Sequence, residues 1–444
     1  MRLSKILIAI QILSNAACAL RAGTFQEVYA FPSGPANASP NGLVLGPDGA
    51  FYGTTANGGP SGLGSVFRLL TNGTVVPLAY FGDPNGNGPQ APLAQGKDGA
   101  FYGTTLFGGS ALSGTIFRVT TNGALTTLTT FTGTNGAFPE ARLLLAKDGS
   151  FYGTTANGGV SNMGTVFRLF TNQTLATIGT FVGTNGSSPD SSLNFGSDGA
   201  MYGTTSSGGP TDNGSVFRIT TNGVLSTLVF FDGTNGAVPF SGLTAGPDGA
   251  FYGTCSSGGD NGLGTIFRIS TNGSLTTLLS FNGTNGADPE ADLVLGLDGA
   301  FYGTTYNGGT NDNGTVFRVT ADGQLTTLVL FDGTNGALCY TALAVGNDGS
   351  FYGTASSGGS LDGGNIFRVS VTPRATMLPL TRNGNGWNVS FKGQAATAFT
   401  LQRATNLLGP WIVLTNITTA PNGTAQYLDS SPGSVRAFYR TLSP

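Results

Sequence analysis

Carboxylates are the strongest chemical groups this chain offers, because histidine, the commonest general base and metal ligand, is absent. Three of them, Glu140, Asp190 and Glu290, share one phase of a 50-residue period with Pro40, Gln90, Phe240 and Tyr340. Two residues further on, pointing the same way by strand alternation, stand Arg142 and Asp292. Carboxylates, an amide, one arginine and two aromatic rings around a cavity suit a polar ligand such as a sugar. Phe240 and Tyr340 would offer ring faces, while the amide and the acids would exchange hydrogen bonds with hydroxyls. The ligand-binding candidates are therefore Gln90, Glu140, Arg142, Asp190, Phe240, Glu290, Asp292 and Tyr340. As loop residues they are expected to tolerate replacement with little change in stability. Paired carboxylates can also hydrolyse glycosides at the right separation. No Ser-His-Asp set and no His-based metal site can be built, and no catalytic or metal-ligating residue is assigned.

The elements that must position these residues are set by the repeat. FYGTT or a close variant begins at Phe51, Phe101, Phe151, Met201, Phe251, Phe301 and Phe351, at intervals of 50 residues without insertion. Each unit holds four strand signals separated by turn chemistry. In the first, strand A is Leu43–Leu45, strand B Phe51–Thr55, strand C Ser65–Leu70 and strand D Thr74–Phe81, with Asp48-Gly49 and Asn72-Gly73 as tight turns. Four antiparallel strands in each unit, repeated seven times, predict an all-β, seven-bladed β-propeller. The glycine inside each strand B, such as Gly53, is expected where another backbone comes close. The seventh unit lacks a strand D, and Thr24–Phe31 occupies the missing phase. One strand taken from the N-terminus would then close the ring and remove its open edges.

Recurrence separates scaffold from site. Arg68 and its six equivalents, and Asp48 and its six equivalents, are read as turn formers joined by an Arg–Asp contact. The long B–C and D–A loops share one face, which carries Asp83, Glu140, Asp190, Asp212, Asp232, Asp260, Asp288, Glu290, Asp312, Asp332 and Asp362. Loops on a rigid scaffold are the usual carriers of binding. The FDGTNGA stretches at Asp232 and Asp332 are faintly like calcium loops but lack regular carboxylate spacing. No cofactor is expected, with calcium there as the alternative.

The pattern GxDGxFYGTTxxGG…GTVFRxTxxG…TxLxxF resembles the GloVer (Gloeo/Verruco) tandem repeat of exported bacterial proteins over residues 24 to 371. That resemblance implies an extracytoplasmic β-repeat protein and brings no particular activity with it. Residues 372–444 break the period and contain short strand candidates, Trp387–Phe391, Phe399–Arg403, Trp411–Leu414, Ala425–Leu428 and Ala437–Thr441. They suggest a small β-sandwich that looks like a fibronectin-III-like tail. Trp387 and Trp411 are expected in its core. No apolar run followed by basic residues marks an anchor.

Met1–Lys5, Ile6–Leu13 and Ala17-Cys18-Ala19 are the charged, apolar and cleavage parts of a signal peptide spanning residues 1–19, with the propeller over 20–371. Cys255 and Cys339 fall in different repeats and are expected as isolated thiols. The 444 residues include 73 glycines, only 9% of them are charged, and the net charge is -3, which leaves no nucleic-acid footprint. No stretch is long enough to span a membrane. The expected protein is a secreted or extracytoplasmic monomer. It serves as a non-catalytic binding module for a polysaccharide or an envelope protein through the long-loop face. The alternatives are a structural envelope or matrix protein and a carboxylate-dependent glycan-active enzyme.

Overall fold

The computed structural model describes residues 24–33, 38–371, 376–378, 380–383, 386–392, 398–404, 412–420, 423–430 and 438–442. The expected signal segment and Trp411 lie outside the described residues. The chain forms two compact units, one of Thr24–Leu295 with Ala300–Val369 and a second that contains Ser370–Pro444. No described helix is long and apolar enough to cross a membrane.

The first unit is seven four-stranded antiparallel sheets, six of them paired in sequence order A-B-C-D and the seventh taking its outermost strand from Thr24–Pro32. In blade one these strands are Pro40–Leu45, Phe51–Thr55, Ser65–Leu69 and Val75–Tyr80. In the other six blades strand A is only two residues long, as in Leu144–Leu145 and Asn194–Phe195. Each tight A–B turn forms because glycine takes a left-handed φ (77° at Gly49) while the preceding aspartate caps the turn, Asp48 Oδ1 accepting from Ala50 N at 3.2 Å. The glycine inside strand B answers to a side chain rather than a backbone. A Cβ on Gly53 would sit 2.6 Å from the ring of Phe67, its cross-strand partner in the same blade. The glycine makes room for the phenylalanine that fills the blade.

Two sets of aromatic contacts join the blades. The tyrosine of one FYGTT stacks on the phenylalanine of the next: Tyr52 on Phe101 at 4.1 Å, Tyr252 on Phe301 at 4.1 Å, Tyr302 on Phe351 at 4.0 Å. Blade seven returns to blade one through Tyr352 and Phe51 at 4.5 Å. Where Met201 replaces phenylalanine, it packs in the same cluster as Tyr152. The closing phenylalanine of each unit meets the strand C phenylalanine of the next edge-on, as in Phe81–Phe117 and Phe181–Phe217. Apart from half-buried Tyr352 these rings are almost wholly buried, and each buried ring contributes roughly 2–3 kcal/mol of apolar burial.

Thr24–Pro32 is the outermost strand of the last blade, beside Asp362–Ser370, as the phase of the repeat predicts. Phe25 stacks on Phe367 at 5.9 Å and Phe31 meets Phe67 of blade one at 5.7 Å, so the second aromatic set also closes. The seam has its own polar lock. Glu27 accepts from Ser360 N and from Asn365 Nδ2, each at 3.0 Å, where the equivalent residue in other blades is mostly threonine.

In the second unit one sheet contains Gly386–Lys392 and Thr424–Asp429, and another pairs Ile412–Thr418, Ala398–Ala404 and Phe438–Leu442. Val389 and Phe391 from the first meet Phe399, Leu401 and Tyr439 from the second, the layered arrangement of a small sandwich. Arg403 Nη1 donates to both oxygens of buried Asp429, at 2.9 and 2.7 Å, across the two sheets. Trp387, expected in the core, is only half-buried, with the Arg382 guanidinium 5.7 Å from its ring.

Candidate functional site at the mouth of the propeller channel

The recurring charges are scaffold. Arg118 pairs with Asp98 of its own blade at 2.6 Å, Arg218 with Asp198 at 2.7 Å and Arg368 with Asp348 at 2.8 Å. The FYGTT tyrosine donates to the same carboxylate, as Tyr52 does to Asp48 at 2.8 Å. Burial opposes ionisation of Asp48, but the hydrogen bonds from Tyr52 and Ala50 and the Arg68 charge win and hold its carboxyl below the usual range. These pairs are about a third exposed, so each is worth at most roughly 1 kcal/mol.

Much of the acidic loop face is also turn chemistry. Asp212 and Asp312 take left-handed φ values of 58° and 57° and accept from Gly208 N and Gly308 N at 2.7 and 2.8 Å. Asp232 Oδ1 accepts from Thr234 N at 2.9 Å and Asn235 N at 3.0 Å, and Asp332 does the same. The two stretches compared with calcium loops are Asp-capped turns in which one carboxylate oxygen, Oδ1, is engaged by the turn itself.

The residues that break the repeat behave differently. Gln90, Glu140, Arg142, Asp190, Phe240, Glu290, Asp292 and Tyr340 all line one cavity of about 240 Å³ at the start of the A strands. Their placement comes from the preceding blade. The first threonine of each FYGTT is wholly buried. At Thr54, Thr154, Thr204, Thr254 and Thr304 its hydroxyl turns onto the backbone flanking the next blade's site residue, whereas Thr104 Oγ1 has no partner and Thr354 pairs with the Thr341 hydroxyl. Thr204 lies 3.1 Å from Pro239 O and 2.8 Å from Ser241 O, on either side of Phe240. Thr254 does the same around Glu290, at 3.1 Å from Pro289 O and 3.4 Å from Ala291 O. Thr154 reaches Ser191 O at 3.0 Å, just after Asp190. In blades four and five a serine stands in for part of the missing ladder: Ser191 Oγ accepts from Thr204 N at 2.9 Å and donates to Thr204 O at 3.0 Å, and Ser241 does the same with Thr254. The site therefore stands on a hydrogen-bonded floor rather than on free loops.

That floor changes the electrostatics. Burial pushes Asp190 up to about 7, helped by the nearby Glu140 charge and opposed by a 2.6 Å hydrogen bond from Ser206. Its other oxygen, Oδ1, is sealed from solvent without a partner. Burial also raises Glu290 to about 7, with Asp288 adding to the effect, and burial raises Glu140. Tyr340 is pushed up to about 12, chiefly by burial, and donates its hydroxyl proton to Asn41 Oδ1 at 2.7 Å. Asp292 accepts from Gly242 N at 2.5 Å. The expectation that these are stability-neutral loop positions is corrected here. Glu140, Asp190, Glu290 and Tyr340 are half-buried, and Tyr340, Asp190 and Asp292 are tied into the scaffold.

Asn41, Ser206 and the threonine at the Thr54 phase are site residues that reading the sequence missed. The threonine had a signal, its presence in all seven copies, which FYGTT absorbs as an ordinary strand pattern. A second, wider groove of about 870 Å³ lies among the loops of blades one and two, lined by Asp83, Phe107, Leu112 and Thr130. It is mostly apolar and contains none of the eight candidates. Cys255 and Cys339 are both buried free thiols, and burial raises both above the ordinary thiol range.

Seven four-stranded blades closed by a strand from the chain's start define a β-propeller. The chain belongs to the Gloeobacter/Verrucomicrobia repeat family, which it matches over residues 18–196 and 192–409. No curated protein matches the chain. Several solved structures are similar to the chain at low identity. A gluconolactonase from Xanthomonas campestris is 13% identical with a TM-score of 0.44, covering 81% of this chain and 93% of its own. A putative 6-phosphogluconolactonase from Bacteroides uniformis is 16% identical with a TM-score of 0.45, covering 88% and 100%. A puromycin hydrolase is 12% identical with a TM-score of 0.49, covering 82% and 61%.

Proposed function

We propose that the propeller is an extracytoplasmic binding module that takes one polar sugar unit in the channel-mouth cavity. The observation that carries this reading is convergence: eight residues that depart from the repeat line a single cavity, while those that follow it form turns and blade contacts. A volume of about 240 Å³ is small beside drug-sized pockets of ~300–1,000 Å³ and matches a single ring better than an oligomer. Phe240 exposes part of its ring there, and Gln90, Glu140 and Glu290 make no hydrogen bond to the described protein, so their polar atoms are free for hydroxyls.

Retention of the full chain on immobilised polysaccharides tests this, with Phe240→Ala and Glu140→Gln as variants. Each should weaken binding by roughly 1–3 kcal/mol, about the cost of losing one buried polar partner or ring contact. Retention unchanged in both variants would place binding elsewhere, in the apolar groove or the second unit. A second reading, glycan cleavage, is favoured by one observation: Asp190 and Glu290 both sit near neutrality, as a carboxyl general acid must. Product release recorded in the same experiment distinguishes a lectin-like module from an enzyme.

A further inference from the structure

Arg142 is the one residue of the cavity whose chemistry is not that of a neutral-sugar site. The equivalent position in the other blades is Gly42, Pro92, Ser192, Gly242, Asp292 or Ala342, so the guanidinium is the single cation in its ring. It stands in a cavity with four acids, yet no ion pair or hydrogen bond joins it to any described residue. Geometry accounts for part of this. Asp292 is three blades away around the ring and is held by Gly242 N, while Asp190 is held by Ser206. An unpaired guanidinium in a concave site is a fork of donors that matches a carboxylate in a bidentate manner.

We propose that the cavity selects an acidic sugar, a uronic acid residue, whose carboxylate docks on Arg142 while its hydroxyls meet Glu140, Glu290 and Gln90. The inference rests on the sugar-binding reading and adds its ligand class. The charges that face the bound carboxylate are Arg142 itself, Glu140, Asp190, Glu290 and Asp292, with Tyr340 neutral beside them. Four ionised acids would repel an anion. Burial eases the conflict: it favours the neutral form of Asp190 and Glu290 below about 7 and shifts Glu140 in the same direction, which lessens the negative charge around the arginine. Binding of the acidic sugar should accordingly weaken as pH rises through about 7, while that of a neutral sugar should change less.

The test is titration of the full chain with D-galacturonate and D-glucuronate, against D-galactose and D-glucose, at pH 5.5 and 8.0. At the lower pH a uronate should bind about tenfold or more tightly than its neutral counterpart. Arg142→Met should collapse that ratio towards one, Arg142→Lys should restore part of it, and thermal unfolding should show both variants folded. A ratio near one in the natural protein, or one that survives Arg142→Met, overturns the acidic-sugar assignment and leaves the cavity as a neutral-sugar site. Failure of all four sugars to bind at either pH overturns both readings together.

Discussion

Thr204 and Thr104 occupy the same position two repeats apart, are equally buried, and should respond oppositely to the same substitution. The Thr204 hydroxyl lies 2.8 Å from Ser241 O and 3.1 Å from Pro239 O. Its one proton serves one carbonyl at a time, so valine removes a hydrogen bond worth about 1 kcal/mol net. It also strands a buried carbonyl, which adds roughly 1–2 kcal/mol. Thr104 Oγ1 is buried with no partner. Valine there removes an unsatisfied hydroxyl and should be neutral, or stabilising by about 1 kcal/mol. In a unit of about 340 residues, unfolding entropy of ~2.1 cal/mol/K per residue converts 1 kcal/mol into about 1.4 °C. Thr204→Val should therefore lower Tm by about 3–4 °C, and Thr104→Val should leave it level or raise it by about 1 °C. Calorimetry on both, with a urea titration to confirm an unchanged slope, measures the difference. Equal losses in the two variants, or a larger loss at Thr104, would falsify the account of how the site segments are clamped. Since the threonine positions Phe240, Thr204→Val should also weaken any ligand bound beside that ring.

The raised Asp190 carboxyl makes a signed prediction. Folding moves it from an ordinary 3.8 to about 7, so the folded state holds the extra proton between those values and stability falls as pH rises through that window. Asp190→Asn should flatten this part of the stability–pH curve, leaving the contributions of the same sign from Glu290 and Glu140; an unaltered slope in urea titrations from pH 4 to 8 counts against it. Glu27 works in the opposite sense, because hydrogen bonds from Ser360 and Asn365 outweigh its burial and lower its carboxyl. Its contribution is complete above about 4.5 and is lost as pH falls through the lower folded value. Glu27→Gln should therefore cost up to about 1 kcal/mol at pH 7 and blunt acid sensitivity, and acid denaturation identical to the natural protein would refute the lock. Removing residues 24–32 should abolish a single cooperative transition, since it opens two strand edges and strips Phe25 and Phe31 from the closing contacts; a sharp transition near the original Tm would show that the ring does not depend on its seam.

The sequence by itself determined the blade and the ring. A 50-residue period without insertion gives each copy the same turns at Asp48-Gly49 and Asn72-Gly73, and identical units can only stack identically. The missing seventh strand D and the surplus strand at Thr24 then specify closure by arithmetic. Departures from the same period also marked the eight cavity residues, because a residue that differs at one phase is not serving the shared scaffold. What the pattern could not carry was what depends on contacts across the sheet and with the neighbouring blade. Gly53 was read as yielding to another backbone, whereas the space belongs to Phe67 of its own sheet. The Thr54 phase looked like ordinary strand, and its reach to the carbonyls around the next blade's site residue spans about 35 residues of chain. Burial is the largest of these gaps. Asp190 and Asp212 are both loop aspartates in the sequence, yet one caps a turn at the surface and the other loses its solvent to the ring around it. That difference in solvation, set when seven blades converge on one channel, decides which acids stay charged and where a ligand can be held.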